Sequence, residues 1–187
     1  MNQNKEINPS FFQTYNLEDM PFGLSYSEWL VKWWQGYLIP DRKRNEGPVF
    51  LIPGKLIGVQ SDLNERKFKI DKDKAILLSP INWIGINYAN DNKHDQKLRE
   101  DAKLEIDIIN KDVISVLIDD TIEMRDNCIR VSTPNFFSLD GKMAITDGYW
   151  LFLKPNSFTK GKHTVSSFGS CRSGTIRVGM KYHLTVK

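Results

Sequence analysis

The chain of 187 residues predicts a β-dominated fold, all-β or α+β: an antiparallel two-sheet sandwich, jelly-roll or immunoglobulin-like, with a Trp-rich amphipathic helix packed on it near the N-terminus. Three observations predict it. Beyond residue 47, roughly seven or more short runs are alternating or continuously apolar, with turn residues between them. A single segment, residues 26–38, carries large aromatics at helical spacing. Ten Phe, six Tyr and five Trp supply enough apolar surface for one core without a disulfide or metal.

Residues 1–22 read as a polar N-terminal arm that packs through Phe11, Phe12 and Phe22, and residues 23–187 as one domain. In the helix, Tyr26, Trp29, Leu30, Trp33, Trp34, Tyr37 and Leu38 fall on one stripe. Ser25 and Glu28 form a capping-box pattern in front of it, and Pro40 stops it. Pro48-Val49-Phe50-Leu51-Ile52-Pro53 reads as a short strand between prolines, and residues 67–70 alternate. Residues 75–83 read as a buried strand, bent or bulged at Pro80 because proline cannot donate to a ladder. From residue 92 to about 110 the chain is charged, with Leu98, Ala102, Ile106 and Ile109 near helical spacing, and a second helix is expected. Residues 113–118, the turn Asp119-Asp120 and residues 121–124 read as a hairpin. Residues 128–139 and 144–153 read as strands about the turn Asp140-Gly141. Residues 162–168 are a further strand, and from Thr175 to Val186 polar and apolar side chains alternate without a break.

The composition also limits function. With 26 basic against 23 acidic side chains, the net charge of +3 argues for neither nucleic acid nor an anionic membrane as partner. No apolar run reaches the roughly 18 residues a membrane helix needs, so no membrane insertion is expected. The opening residues lack an apolar export core, which by itself reads as cytoplasmic. Cys128 and Cys171 read as independent thiols or as a bridge between neighbouring strands. His94, His163 and His183 are scattered, so neither metal nor cofactor is expected.

The segment Gly23-x-Ser25-Tyr26-x-Glu28-Trp29-x3-Trp33-Trp34 resembles the signature of a widespread family of uncharacterised, mostly exported bacterial proteins. Later pieces resemble the same family in the same order: Gly47-Pro48-Val49-Phe50-Leu51, the run from Lys74 through Pro80 to Asn82, Asp147-Gly148-Tyr149-Trp150-Leu151-x-Leu153, and the closing strands after Gly161. Gly36 stands where a further Trp is usual. The resemblance implies a β-rich exported domain and brings no established reaction with it.

Candidate sites follow from residue chemistry. Trp29, Trp33 and Trp34 have the faces of a stacking platform, but a stripe of seven apolar positions reads first as a face docked on a sheet. Trp34, nearest the stripe's edge, is the ring expected to be exposed. Asp147 beside Tyr149 and Trp150 suits a hydroxyl-rich ligand or a cation, yet Asp-Gly is also ordinary turn chemistry. The leading expectation is a non-catalytic interaction module for a glycan-like molecule or a protein, with Trp34, Tyr37, Trp83, Asp147, Tyr149 and Trp150 as ligand-binding residues. One alternative is a hydrolase or lyase assembled from Glu28, Asp147 and His163; another is a structural subunit of a larger assembly. A Cys171–His163 or Cys171–His183 dyad is disfavoured. The acids among residues 91–107, Asp71-x-Asp73 and the basic run 41–44 read as solvated faces.

Overall fold

The computed structural model describes residues 12–38, 47–54, 56–57, 63–88, 92–107, 113–171 and 176–187. Phe11, Pro40, the basic run 41–44, the loop residues 172–174 and the side chain of Cys171 lie outside the described residues.

Two mixed sheets pack face to face. The first contains β1 (Val49–Leu51), β4 (Ala75–Asn87), β9 (Lys142–Leu153) and β7 (Ile129–Ser132) in that order, with β8 (Phe137–Leu139) also on β9. The second runs from β2 (Leu56–Ile57) through β11 (Ile176–Val186), β10 (Gly161–Cys171) and β5 (Ile114–Ile118) to β6 (Ile122–Glu123), with β3 (Asn64–Ile70) also on β11. Helix α1 spans Tyr26–Leu38 and helix α2 spans Asn92–Asp107. The core between the sheets joins Ile76, Leu78, Ile81, Leu151 and Leu153 of the first to Val116, Ile118, Val165, Met180, Tyr182 and Leu184 of the second.

Most pairings are antiparallel, but β1 runs parallel to β4 and β3 runs parallel to β11. The reason is connectivity. After β1 the chain visits the second sheet as β2 and β3 before the turn 71–74 returns it to the first as β4, and so long a crossover permits a parallel neighbour. The run 128–139, expected as one strand, is two. Thr133 still donates to Thr146 O, but Pro134 has no N–H to continue the ladder.

The bend expected at Pro80 is a bulge. Leu78 pairs with Leu151 and Ile81 with Tyr149, so β4 spends one residue more than β9 there. Ser79 Oγ donates to Tyr149 O at 2.7 Å. Gly169 of β10 backs directly onto this bulge: a Cβ there would lie 2.7 Å from both Pro80 O and Ile81 Cβ. Only glycine permits so close an approach of the two sheets.

Helix α1 covers the other face of the first sheet. Tyr26, Trp29, Leu30, Trp33 and Trp34 are buried against Val49, Leu51, Ala75, Leu77, Val131, Trp150 and Phe152. The capping box is formed: Ser25 N and Ser25 Oγ both donate to Glu28 Oε2 at 2.7 Å, and Glu28 N donates to Ser25 Oγ. These bonds, the hydroxyl's first, hold the Glu28 carboxyl below its ordinary pKa. The box is therefore complete above the ordinary carboxylate range and is lost as pH falls through the lowered value. Helix α2 shields the remainder of the inner face. Leu98 meets the site of Gly85, over which the Trp83 ring lies, and Ile106 enters the inter-sheet core.

Among the described residues, the buried polar atoms Tyr26 Oη and Trp150 Nε1 find no hydrogen-bond partner. Burial pushes the Tyr26 hydroxyl pKa far up, with Cys128 adding to it. Tyr26→Phe keeps the ring contact with Phe152 and removes an unsatisfied group. It is expected to raise stability by about 1 kcal/mol and Tm by about 2–4 °C. Calorimetry checks this, and a lower Tm would contradict it.

Candidate functional site

The six ligand-binding residues expected from sequence all belong to α1 or the first sheet, and the sheet divides them. Trp34 is buried, not exposed: its Nε1–H donates to Thr146 Oγ1 at 2.8 Å, and that hydroxyl donates to Trp83 O at 2.6 Å. Position at the edge of the stripe suggested exposure, but a hydroxyl on β9 gives the indole a partner and draws it in. Tyr37 stacks on Trp33 at 5.2 Å between ring centroids. Trp150 is wholly buried edge-on to Trp33, whereas Tyr149, on the opposite face, packs towards the inter-sheet core. Trp83 is half-buried near α2. Asp147 is buried and held by Arg130, with Nη2 at 2.8 Å from Oδ2 and Nε at 3.2 Å from Oδ1. The carboxylate expected to bind a ligand or cation is thus already neutralised. These residues form no common surface.

Nor do the three acid–base candidates converge through the contacts they make. Glu28 caps α1, Asp147 pairs with Arg130, and His163 Nδ1 pairs with Asp119 Oδ2 at 2.8 Å at the far end of β10. The Cys171–His dyad is ruled out by register. Cys171 pairs with Ile176, while His163 and His183 sit seven or more residues away along the ladder, about 23–26 Å. Cys128 is a buried thiol that donates to Met124 O. Among the described residues no three His, Cys, Asp or Glu side chains are grouped to hold a metal ion.

A different site emerges on the outer face of the second sheet. In β11, Met180, Tyr182, Leu184 and Val186 point into the core, so Lys181, His183 and Thr185 point out. Register then sets three transverse rows. His183 stands between Lys67 of β3 and Thr164 of β10, Thr185 between Lys69 and Lys162, and Lys181 between Glu65 and Ser166. The hairpin turn Asp119-Asp120, with φ of 50° and 57°, closes the end of the middle row. Asp119 Oδ1 accepts from Thr164 N at 2.8 Å while its other oxygen holds His163. Lys67, Lys162, Thr164, His183, Thr185 and Asp119 border a hollow of about 450 Å³.

Charge is unevenly distributed over this face. Lys181 pairs with both oxygens of Asp120 at 2.9 and 3.0 Å, and His183 Nε2 lies 3.2 Å from Glu65. Among the described residues no carboxylate pairs with Lys67, Lys69 or Lys162. Residues so distant in sequence form no motif; the only visible signal was the polar half of the last strand's alternation.

Comparison of the chain with protein-family models, with curated proteins and with solved structures gives no match.

Proposed function

We propose that this protein is a non-catalytic binding module whose ligand face is the outer surface of β3, β11 and β10. One observation carries the reading: the register sets ammonium, imidazole, hydroxyl and carboxylate groups side by side around an open hollow on a strand face. Such a surface makes hydrogen bonds in several directions, which suits a hydroxyl-rich, glycan-like ligand. Rigid strands hold the groups in place, so binding requires little ordering of the face. Membership in the exported family that the Trp motif resembles belongs to the same proposal.

A glycan array followed by titration calorimetry tests it. A bound glycan is expected to lose about tenfold or more in affinity on His183→Ala combined with Thr185→Ala, with the thermal transition kept. No binding across the array, or binding unaffected by that pair, would overturn the assignment.

A second reading, a structural subunit of an assembly, is favoured by one feature. Leu17, Met20 and Phe22 are about half exposed at the entrance to α1, and Phe22 is held there at a φ of 56°. Light scattering that shows only monomer at high concentration would remove this reading.

A further inference from the structure

We infer that the ligand of this face is an anionic polysaccharide, its sulfate or carboxylate groups seated between Lys67, Lys69 and Lys162; this rests on the proposed binding face and names its ligand class. Neighbouring strands lie about 4.8 Å apart, so Lys69, Thr185 and Lys162 span roughly 10 Å across β3, β11 and β10. Lys67 stands two residues along β3 from Lys69, about 7 Å away. Three ammonium groups therefore surround the hydroxyl of Thr185 and the imidazole of His183.

The pairing of charges decides the sign of the site. Along β11, Lys181 is met by Asp120 and His183 by Glu65, so that end of the face is neutralised within the protein. The other end is not. Lys69 and Lys162 flank Thr185 there without a carboxylate partner among the described residues. The excess continues past the end of the sheet, where Lys72, Lys160 and Lys187 border a second hollow together with Asp71 and Asp73. Lys72 N donates to Lys187 O, which fixes these two backbones side by side. A net charge of only +3 over the whole chain conceals this concentration.

The chemistry of the groups selects among polyanions. Lysine acts as a point charge, and no arginine fork lies in the three rows to take a phosphate bidentately. The ring in them is the His183 imidazole, engaged with Glu65, and no Phe, Tyr or Trp face lies there for a base to stack on, which disfavours single-stranded nucleic acid. Within β3, β11 and β10 the rows carry no large apolar side chain, and Leu117, which continues the Lys181 row onto β5, is half-buried, which disfavours entry into a lipid surface. A linear glycan with charged groups at intervals matches both the hydroxyls and the spaced ammonium groups.

The test uses the full chain, with heparin as sulfated probe, polygalacturonate as uronate probe and dextran as neutral probe. Lys67→Ala/Lys69→Ala/Lys162→Ala is compared with Lys32→Ala/Lys97→Ala/Lys103→Ala, which removes the same charge from the two helices. Among the described residues, Lys32 on Trp29 is the one of these six lysines with a ring contact, and thermal melts of both variants serve as the check that they fold. At 150 mM salt the sheet variant is expected to bind one of the anionic probes at least tenfold more weakly, with the helix variant within about twofold of wild type. The slope of log affinity against log salt should fall by about two, from three lost contacts at roughly 0.7 each. Equal losses in both variants would overturn the inference. Binding of dextran that survives the sheet variant would overturn it too while leaving the binding-module reading standing, and failure of all three glycans would remove both. Binding of duplex DNA or phosphatidylserine vesicles as tight as that of heparin would overturn the assignment to a glycan.

Discussion

Replacing Trp33 by alanine is expected to lower the free energy of unfolding by about 4 kcal/mol, within the roughly 3–5 kcal/mol range for removing a buried Trp or Phe side chain. The ring is 3% exposed, stacks on Tyr37 and meets Trp34 and Trp150 edge-on, with centroids 5.0 to 5.3 Å away. Its Nε1–H donates to Ile52 O at 2.8 Å, so truncation also leaves a buried carbonyl without its donor. The hole opens between a helix and a sheet, where several rigid rings resist collapse into it. Trp33→Phe separates the two causes: it refills most of the volume but not the hydrogen bond, and should cost about 1–2 kcal/mol. Urea denaturation measures both. A loss below about 1 kcal/mol for the alanine variant would mean that the helix does not seal this sheet.

The second large effect is electrostatic. Arg130→Leu leaves the Asp147 carboxylate, 5% exposed, without its bidentate guanidinium. Breaking a buried pair from one side costs about 3–5 kcal/mol. Arg130 is itself about one-third exposed, and water reaching that side reduces the expected loss to about 2–3 kcal/mol. Asp147→Asn in the same background removes the uncompensated charge and should restore at least half of it. A double-mutant cycle with a coupling energy near zero would contradict the account. The pair also gives the acid of the Asp-Gly-Tyr-Trp segment a structural task, holding β7 against β9.

Local chemistry made much of the fold legible. The limits of α1, its capping box and the bulge at Pro80 each depend on residues within a few positions of one another. The last strand announced its two faces by alternation alone. What could not be read was the partner of each strand. Parallel pairing of β3 with β11 joins residues more than a hundred positions apart, and nothing in either run specifies it. The same gap hid the candidate site, since Lys67, Lys162 and His183 become neighbours only through that register. Trp34 failed for a related reason: its burial is set by Thr146, a hydroxyl on a strand remote in sequence.

The indole-rich helix is a clamp on the first sheet, its rings almost wholly withdrawn from solvent, although Trp29 borders a hollow beside Phe22, Leu24 and Lys32. Trp29, Trp33, Trp34 and Trp150 are all buried, and only Trp83 is partly open. Acrylamide quenching of Trp83→Phe, with and without saturating heparin, tests the claim most directly. Blue-shifted emission, a quenching constant several-fold below that of the urea-unfolded chain, and no change on adding heparin are expected. Quenching close to the unfolded value, or emission that responds to a glycan, would show that the rings face an open site and would contradict it.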